Sequence, residues 1–270
     1  MRDLDSRVAV ITGAGSGIGR CTALELARKG CSTALVDVDA AGLEGTCAAI
    51  DELGAKASVH VADVSDADRM SQLPDEVLAV HSACHVLVNN AGVLTVGRFA
   101  DERIEDLRWI VGINVFGVLH GCHYFLPVLR EQDRAHIVNV SSMAAFAGIP
   151  QNAAYSLTKG AVRSFTEALR AELVGTNVGV STLFPGATGT DIVERARGAH
   201  AERLAAFGRK GIAPYLRRPP EAAARQIVRA IERDKPRVLL GPDARTLDVF
   251  SRLVPGRTGL AGRALDRLTR

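Results

Sequence analysis

The chain has 270 residues, with 33 lysines and arginines against 30 aspartates and glutamates, and apolar residues make up 47% of it. This is the composition of a folded globular protein with room for a sizeable core, and it argues against a disordered or fibrous chain. The five cysteines form no Cys-x-x-Cys pair, so we expect free thiols and a reducing, cytoplasmic location. The mostly charged residues 1–7 precede an apolar strand, which predicts the absence of a signal peptide.

Short apolar runs rich in β-branched residues alternate with helical patterns along the chain. The predicted strands are 8–12, 32–37, 57–62, 85–89, 136–141, 178–184 and 238–240, and the predicted helices are 18–29, 40–53, 66–80, 103–131, 153–174 and 220–233. Such alternation predicts an α/β fold: a doubly wound, Rossmann-like parallel sheet of seven strands with helices on both faces. Residues 1–242 are expected to form one such domain, with 187–219 as an insertion on the substrate side.

A glycine-rich turn, Thr12–Gly19, joins the first predicted strand to the first helix and reads Thr-Gly-Ala-Gly-Ser-Gly-Ile-Gly. Glycines let the backbone turn sharply and approach a ligand closely, and the helix N-terminus presents free N–H groups to a pyrophosphate. A plain tight turn is the alternative, but the strand–turn–helix context favours a dinucleotide site. The candidate cofactor-binding residues here are Gly13, Ser16, Gly17, Ile18 and Gly19.

The second predicted strand ends at Asp37. A carboxylate at this position can accept hydrogen bonds from an adenosine ribose and would repel a 2′-phosphate. Neither Val38 nor Ser16 supplies the positive charge that such a phosphate needs, so the pattern predicts NAD rather than NADP. Asp63 and Val64 follow the third strand, where they would meet the adenine edge or, alternatively, cap a helix.

The apolar stretch Ile110–Leu129 lies within the helix predicted over 103–131. Asn114, two histidines and a proline inside it would be costly in lipid, so we expect a buried or interfacial helix and no integral membrane segment. The two histidines and Cys122 have no carboxylate nearby in this helix, so no metal site is predicted.

Ser142, Tyr155 and Lys159 follow the fifth predicted strand. Tyr155 and Lys159 are four residues apart, so a helix places both side chains on one face. A phenol titrates at about pH 10, which is too high for a base at neutral pH, but a neighbouring ammonium can lower that pKa by stabilising phenolate. Together with a hydroxyl at Ser142, the pair predicts a proton-transfer device for an alcohol or carbonyl substrate.

The end of the chain is basic: residues 217–270 hold thirteen lysines and arginines against six acidic residues. Residues 243–270 are predicted to form an amphipathic tail, in the same domain or at an oligomer interface, because apolar residues recur there at helical spacing. They are Leu247, Phe250, Val254, Leu260, Ala264 and Leu268. Peripheral attachment to an anionic membrane is an alternative. No recognition motif accompanies the charge, so no nucleic-acid partner is predicted.

Taken together, these motifs stand in the order and at the intervals of a known family. The chain resembles the short-chain dehydrogenase/reductase family, in the branch with Thr-Gly-x-x-x-Gly-x-Gly and Tyr-x-x-x-Lys motifs, over residues 6–240. The positions that carry the resemblance are Thr12–Gly19, Asp37, Asp63, Val64, Asn89–Gly92, Asn114, Ser142, Tyr155, Lys159 and Pro185–Thr190.

The resemblance implies a role for each matched position. Tyr155 would be the general acid/base, with Lys159 lowering its pKa and binding the nicotinamide ribose. Ser142 would polarise the substrate oxygen, and Asn114 would hold a proton-relay water. Further cofactor contacts are expected from Asn90, Ala91, Gly92, Pro185, Gly186, Thr188 and Thr190. Related enzymes pair two of their helices across subunits, so a homodimer or homotetramer is expected.

The substrate side is expected to include Ser142, Met143, Phe146, Ile149, Tyr155, Ile192, Phe207 and Tyr215. Their mostly apolar character predicts an apolar secondary alcohol or ketone, interconverted with NAD(H). Arg195, Arg197 and Arg203 would instead suit an anionic carrier-linked acyl chain. An NADPH-dependent 3-oxoacyl-carrier reductase is therefore the alternative enzyme, although Asp37 argues against it. A catalytically idle dinucleotide sensor is a second alternative, which the intact catalytic set disfavours.

Overall fold

Seven parallel strands form the central sheet of this computed structural model, which describes residues 1, 3–189, 192–202 and 218–255. The strands are β1 (Val8–Thr12), β2 (Ser32–Asp37), β3 (Ala57–Val61), β4 (Val86–Asn89), β5 (Ala135–Val140), β6 (Val178–Pro185) and β7 (Arg237–Leu240). Their order is β3-β2-β1-β4-β5-β6-β7, and every neighbouring pair is parallel. The predicted doubly wound, Rossmann-like sheet is confirmed, because the strand order reverses direction between β1 and β4.

Helices connect the strands and cover both faces of the sheet. They are α1 (Gly17–Ala27), α2 (Ala40–Asp51), α3 (Ala67–His81), α4 (Ile104–Val111), α5 (Gly117–Arg130), α6 (Ala153–Glu172), α7 (Pro220–Arg233) and α8 (Pro242–Leu253). Asp39 and Asp66 begin α2 and α3, where each carboxylate accepts a hydrogen bond from a first-turn amide. Pro220 starts α7, in the first turn where its missing N–H costs nothing.

The core consists of two apolar layers, one on each side of the sheet. All five residues of β1 are buried. Ala9 and Ile11 pack with α1, α2 and α7, whereas Val8 and Val10 pack with α3, α5 and α6. Because parallel strands are covered twice, they appear in sequence as uninterrupted apolar runs, which is the signal that predicted them.

The helix predicted over 103–131 consists of α4 and α5 joined by a π turn, Gly112–Phe116. The whole stretch, Ile104–Arg130, is the one helix in the described part of the chain that is long and apolar enough to cross a membrane by length and composition alone. Val118, Phe125 and Leu129 of this stretch are buried in the protein core. Ile104 and Phe116 are 54% and 50% exposed, so the core covers one part of this stretch and not the whole of it.

The beginning of the predicted tail packs on the sheet domain. Helix α8 contacts β7 and the 3₁₀ turn Met143–Ala145, and its buried residues are Ala244 and Asp248. Several predicted positions lie outside the described residues, and they are Thr190, Arg203, Phe207, Tyr215, Leu260, Ala264 and Leu268.

Candidate active site

A cleft of about 610 Å³ lies at the carboxyl ends of the strands, beside the junction of β1 and β4. Ligands of doubly wound sheets bind at this point, because the helices that follow the two strands leave to opposite faces. The glycine-rich turn lines the middle of the cleft. Asp37 and Asp63, at the ends of β2 and β3, line one end, and Tyr155 and Lys159 line the other.

Most of the predicted site residues meet in this cleft. Those that line it are Gly13, Ser16, Gly17, Ile18, Asp37, Asp63, Val64, Asn90, Ala91, Gly92, Ser142, Tyr155, Lys159, Pro185, Gly186, Thr188 and Ile192. Residues far apart in sequence are therefore neighbours here, as the motif order suggested.

The glycine-rich turn is held open by its backbone conformation and by Asn90. Gly13 and Gly17 have φ values of +69° and +52°, a region that side-chain-bearing residues rarely adopt. The Asn90 side chain donates to the carbonyl of Thr12 at 2.9 Å and to that of Gly13 at 3.3 Å. Thr12 Oγ1 accepts from the amides of Asn90 and Ala91, each at 3.0 Å. Asn90 thus fastens the turn to the end of β4.

The start of α1 fits a pyrophosphate. The helix has 11 residues, and the Ser16 side chain makes no capping hydrogen bond with the described part of the chain, so first-turn N–H groups remain for a ligand. Any side chain at Gly13 would put its Cβ 2.7 Å from Asn90 Nδ2. The bare turn and the free helix end are the two features that a dinucleotide phosphate needs.

Gly19 does not line the cleft as predicted but packs beneath the turn. A Cβ at Gly19 would lie 2.0 Å from the carbonyl oxygen of Gly13, so the backbone of Gly19 packs directly against that of Gly13. Gly19→Ala is therefore expected to lower the free energy of unfolding by about 2–3 kcal/mol and to abolish nucleotide binding. Chemical denaturation and calorimetric titration measure the two effects.

Gly148→Ala is the matched control for that substitution, since a Cβ at Gly148 meets no described atom within 4 Å. Its stability and binding should stay near those of the wild type. A Gly19→Ala protein that matched this control would contradict the close packing of the turn.

Asp37 also supports the turn. Its Oδ2 accepts from the Gly15 amide at 2.9 Å and its Oδ1 from the Asp39 amide at 3.1 Å. These bonds fix the carboxylate at the β2 end of the cleft, where the sequence predicted an adenosine ribose partner.

The structure places a positive charge at this end that the local sequence did not indicate. Arg195, from the predicted insertion, lines the cleft and its Nη2 lies 3.4 Å from Asp39 Oδ2. The Arg195 side chain is 56% exposed, so a phosphate could reach it. The absence of nearby Arg or Lys was an argument for NAD, and Arg195 weakens it.

Ser142, Tyr155 and Lys159 form a polar group at the other end of the cleft, in which Ser142 and Lys159 are buried and Tyr155 is half-buried. Ser142 precedes the 3₁₀ turn Met143–Ala145, and its Oγ accepts from the Ala144 amide at 3.2 Å. Lys159 Nζ lies 5.8 Å from the centroid of the Tyr155 ring and donates to the carbonyl of Val140 at 3.0 Å. Both residues lie in the first two turns of α6, as the four-residue spacing predicted.

Burial controls the protonation of these groups. It raises the pKa of Tyr155, and the Ser142 hydroxyl offsets this in part by stabilising phenolate. Burial also lowers the pKa of Lys159 to about 8. The expected lowering of the Tyr155 pKa is thus wrong for the protein alone. The cause is that desolvation outweighs the Ser142 hydrogen bond, while the Lys159 ammonium donates its hydrogen bond to the Val140 carbonyl. Tyr155 is a neutral phenol at pH 7.

Asn114 lies behind the cleft wall, in the π turn. Its Oδ1 accepts from the Val93 amide at 2.8 Å, and its Nδ2 donates to the Val93 carbonyl at 2.9 Å and to Thr158 Oγ1 at 3.1 Å. A Cβ added at Gly92 would lie 3.3 Å from both Asn114 Oδ1 and Lys159 Nζ. Asn114 therefore fixes the chain after β4 against α6. Its predicted water contact stays a prediction.

The predicted placement of Phe146 beside the substrate is wrong. Phe146 packs on Phe184, with ring centroids 4.6 Å apart, and the guanidinium carbons of Arg237 and Arg163 lie 4.8 Å and 5.4 Å from its ring centroid. The 3₁₀ turn directs the chain after Ser142 towards β6 and α8 rather than into the cleft. Met143 and Ile149 are half-buried and do not line the cleft that the described residues form.

Sequence reasoning missed part of the cleft wall. The additional lining residues are Val38, Ala62, Val93, Trp109, Ile113, Val140, Ser141 and Val193. Trp109 and Ile113 have the i, i+4 spacing of one helix face, and Trp109 is the chain's one tryptophan, so a signal was present.

Residues 192–202 are fastened to the chain after β4. Arg197 pairs with Thr95 in a parallel bridge, and its amide donates to the Leu94 carbonyl at 3.0 Å. Its guanidinium lies 3.9 Å from the centroid of the Trp109 ring. This part of the predicted insertion therefore packs on Trp109, and its residues Ile192, Val193 and Arg195 line the cleft.

This combination of sheet, glycine-rich turn and polar residues at the Tyr155 end of the cleft is typical of oxidoreductases that use a nicotinamide dinucleotide. The chain belongs to the short-chain dehydrogenase family, whose model matches residues 7–201.

Relatives and solved structures agree with this assignment. "Probable oxidoreductase EphD" of Mycobacterium tuberculosis is 39% identical over 91% of this chain, which spans 43% of the length of that relative. "Putative oxidoreductase SadH" of the same organism is 35% identical, over 94% of this chain and 93% of the relative. A short-chain dehydrogenase/reductase from Burkholderia phymatum, solved in complex with NAD, has a TM-score of 0.87 and 31% identity, with 97% of both chains covered.

Proposed function

We propose that the chain is an oxidoreductase that interconverts an apolar secondary alcohol and its ketone with NAD(H). The observation that carries this is the group of Ser142, Tyr155 and Lys159, which lines one end of a cleft whose middle is the glycine-rich turn. Bound nicotinamide dinucleotide would supply hydride acceptance or donation. The likeness to the Burkholderia phymatum protein, solved with NAD, supports the choice of cofactor.

Tyr155 moves the proton in this proposal. As a neutral phenol it donates its proton to the ketone oxygen during reduction, and in oxidation the phenolate takes the proton of the alcohol. Lys159, held by Val140, stabilises the phenolate when it forms. The Ser142 hydroxyl orients the substrate oxygen towards Tyr155. Because Lys159 is 3% exposed and Ser142 8% exposed, little water competes for these contacts.

The apolar residues of the cleft wall support an apolar substrate. Val93, Trp109, Ile113, Ile192 and Val193 line the cleft. Such a wall stabilises a substrate by burying its apolar surface, at about 25 cal/mol per Å². Lipophilic secondary alcohols are therefore expected to react more efficiently than short hydroxy acids.

Asp37 provides the test of cofactor choice. Asp37→Asn removes the charge that would repel a 2′-phosphate, while its amide oxygen can still accept from Gly15. The ratio of kcat/KM for NAD to that for NADP is expected to fall by about tenfold or more. Steady-state kinetics with both cofactors measure it.

Asp63→Asn is the control, because Asp63 lines the same cleft one strand further out. For this variant, the ratio of kcat/KM for NAD to that for NADP should stay within about threefold of the wild-type ratio. A wild-type preference for NADPH would contradict the proposal and favour the 3-oxoacyl-carrier reductase, with Arg195 as a phosphate partner.

A homodimer or homotetramer in the cytoplasm remains our expectation. Phe116 and Leu157, on the α4–α6 side of the molecule, are 50% and 62% exposed. Apolar side chains in these positions are the kind that a subunit interface covers. Light scattering on the purified protein would test the subunit count.

A further inference from the structure

The loop at the catalytic end of the cleft is supported from behind by residues beyond the matched family segment. Pro185, Gly186, Ala187 and Thr188 line the cleft. The loop is not held by β6 alone. Its outer side contacts Arg218, near the end of the predicted insertion, and Asp243, which comes after that insertion.

Asp243 makes the contact that fixes the loop backbone. Its Oδ2 accepts from the Ala187 amide at 2.7 Å. A Cβ added at Gly186 would lie 2.2 Å from the same carboxylate, so the loop lies directly on Asp243. Asp243 belongs to the first turn of α8, where the helix dipole favours a negative charge.

Arg218 completes the support. Its amide donates to the Ala187 carbonyl at 2.9 Å, and its carbonyl accepts from the Gly189 amide at 2.8 Å, as in a short parallel bridge at Thr188. Its side chain lies 3.3 Å from Asp243 Oδ1. The two residues therefore hold both the amide and the carbonyl of Ala187.

Helix α8 reaches the second half of the site as well. It packs on the 3₁₀ turn that follows Ser142, and Asp248 ties it to Arg237 at the start of β7. Helix α8 thus contacts both the Ala187 loop, through Asp243, and the turn after Ser142.

From this geometry we infer that Asp243 is a positioning residue for the nicotinamide end of the cleft. This inference rests on the proposed function. Asp243 does not line the cleft itself; it fixes the loop Pro185–Thr188, which does. The adenosine end, formed by β2 and β3, has no contact with Asp243 in the described structure.

The test compares NADH with ADP-ribose, which lacks the nicotinamide. Asp243→Ala is expected to weaken NADH binding by about tenfold, because a charge-assisted hydrogen bond to the loop is lost. ADP-ribose binding should change by less than about twofold. Asp243→Asn retains an oxygen for the Ala187 amide and should restore NADH affinity to within about threefold of the wild type. Calorimetric titration gives all dissociation constants.

Asp248→Asn is the matched control, since it loosens the same helix without touching the loop. It should lower the melting temperature yet leave the ratio of the two affinities unchanged. An unchanged ratio in Asp243→Ala, or the same selective loss in Asp248→Asn, would overturn the inference. If Asp243→Ala does not fold, Asp243→Ser, which is too short to reach Ala187, carries the same expectation. A wild-type protein that binds neither nucleotide would refute the proposed function and this inference with it.

Discussion

Replacing Tyr155 with Phe is expected to lower kcat by about a hundred- to ten-thousand-fold, the contribution of a positioned general acid/base. NADH affinity should change by less than about threefold, because the phenyl ring keeps the packing of the buried phenol. The loss falls on kcat since the hydroxyl carries the proton and the cleft is otherwise intact. Steady-state kinetics and calorimetric titration of the same preparation separate the two effects.

Tyr124→Phe is the matched control for this substitution. Tyr124 lies on α5, packed against the core and away from the lining of the cleft. Its kcat should stay within about twofold of the wild type. Turnover of the Tyr155→Phe protein within a few-fold of wild type would show that another group carries the proton.

Replacing Lys159 with Met is expected to stabilise the protein while abolishing activity. Burial lowers the pKa of Lys159 from 10.5 to about 8, which corresponds to a cost of about 3 kcal/mol for holding the ammonium in the folded state. Removing this cost stabilises the folded protein, but loss of the hydrogen bond to Val140 offsets about 1 kcal/mol of the gain. The free energy of unfolding at pH 7 should therefore rise by about 2 kcal/mol. Denaturant unfolding measures it.

The pH dependence of that gain follows from the direction of the shift. Below pH 8 both the folded and the unfolded wild type carry the charge, so the cost is fully present. Between about 8 and 10.5 the folded protein loses its proton while the unfolded chain keeps it, so the cost fades as pH rises. The stability difference between Lys159→Met and wild type should accordingly decrease from pH 8 to pH 10. Lys29→Met, at an exposed position, should show no such trend. A Lys159→Met protein less stable than wild type at pH 7 would contradict the buried charge.

The sheet and most of the cleft were predictable because their signals are local. Apolar runs predict buried parallel strands, and the residues at the carboxyl ends of these strands lie along one edge of the sheet. Asp37, Asp63, Asn90 and Ser142 each follow a strand, so the fold brings them together without further information. Tyr155 and Lys159 needed only the helix period.

The positions that the sequence did not predict correctly share one physical cause, because each depends on how segments distant in sequence pack together. Phe146 has the composition of a pocket residue, but the turn after Ser142 sends it under Arg237. Arg195 contacts Asp39, which is 156 positions away in the sequence, so no local pattern could show that its charge lies at the Asp37 end of the cleft. Asp243 looks like an ordinary first-turn residue of a helix until the Ala187 amide is placed on it.

The protonation of Tyr155 shows a second limit. The i, i+4 spacing gives proximity to Lys159, whereas the pKa depends on burial and on where the ammonium's hydrogen bond goes. In the folded protein that bond goes to Val140, and desolvation is the larger effect. The spacing therefore placed the two side chains close together but did not give the direction in which burial shifts the pKa of Tyr155.

The most direct test of the account follows the absorbance of reduced nicotinamide when the wild-type protein receives NAD⁺ and a panel of secondary alcohols, sterols and diols. The account predicts NADH formation with at least one lipophilic secondary alcohol, and its loss in Tyr155→Phe. Wild-type protein that binds NADH but neither oxidises any alcohol of the panel nor reduces the corresponding ketones would contradict it.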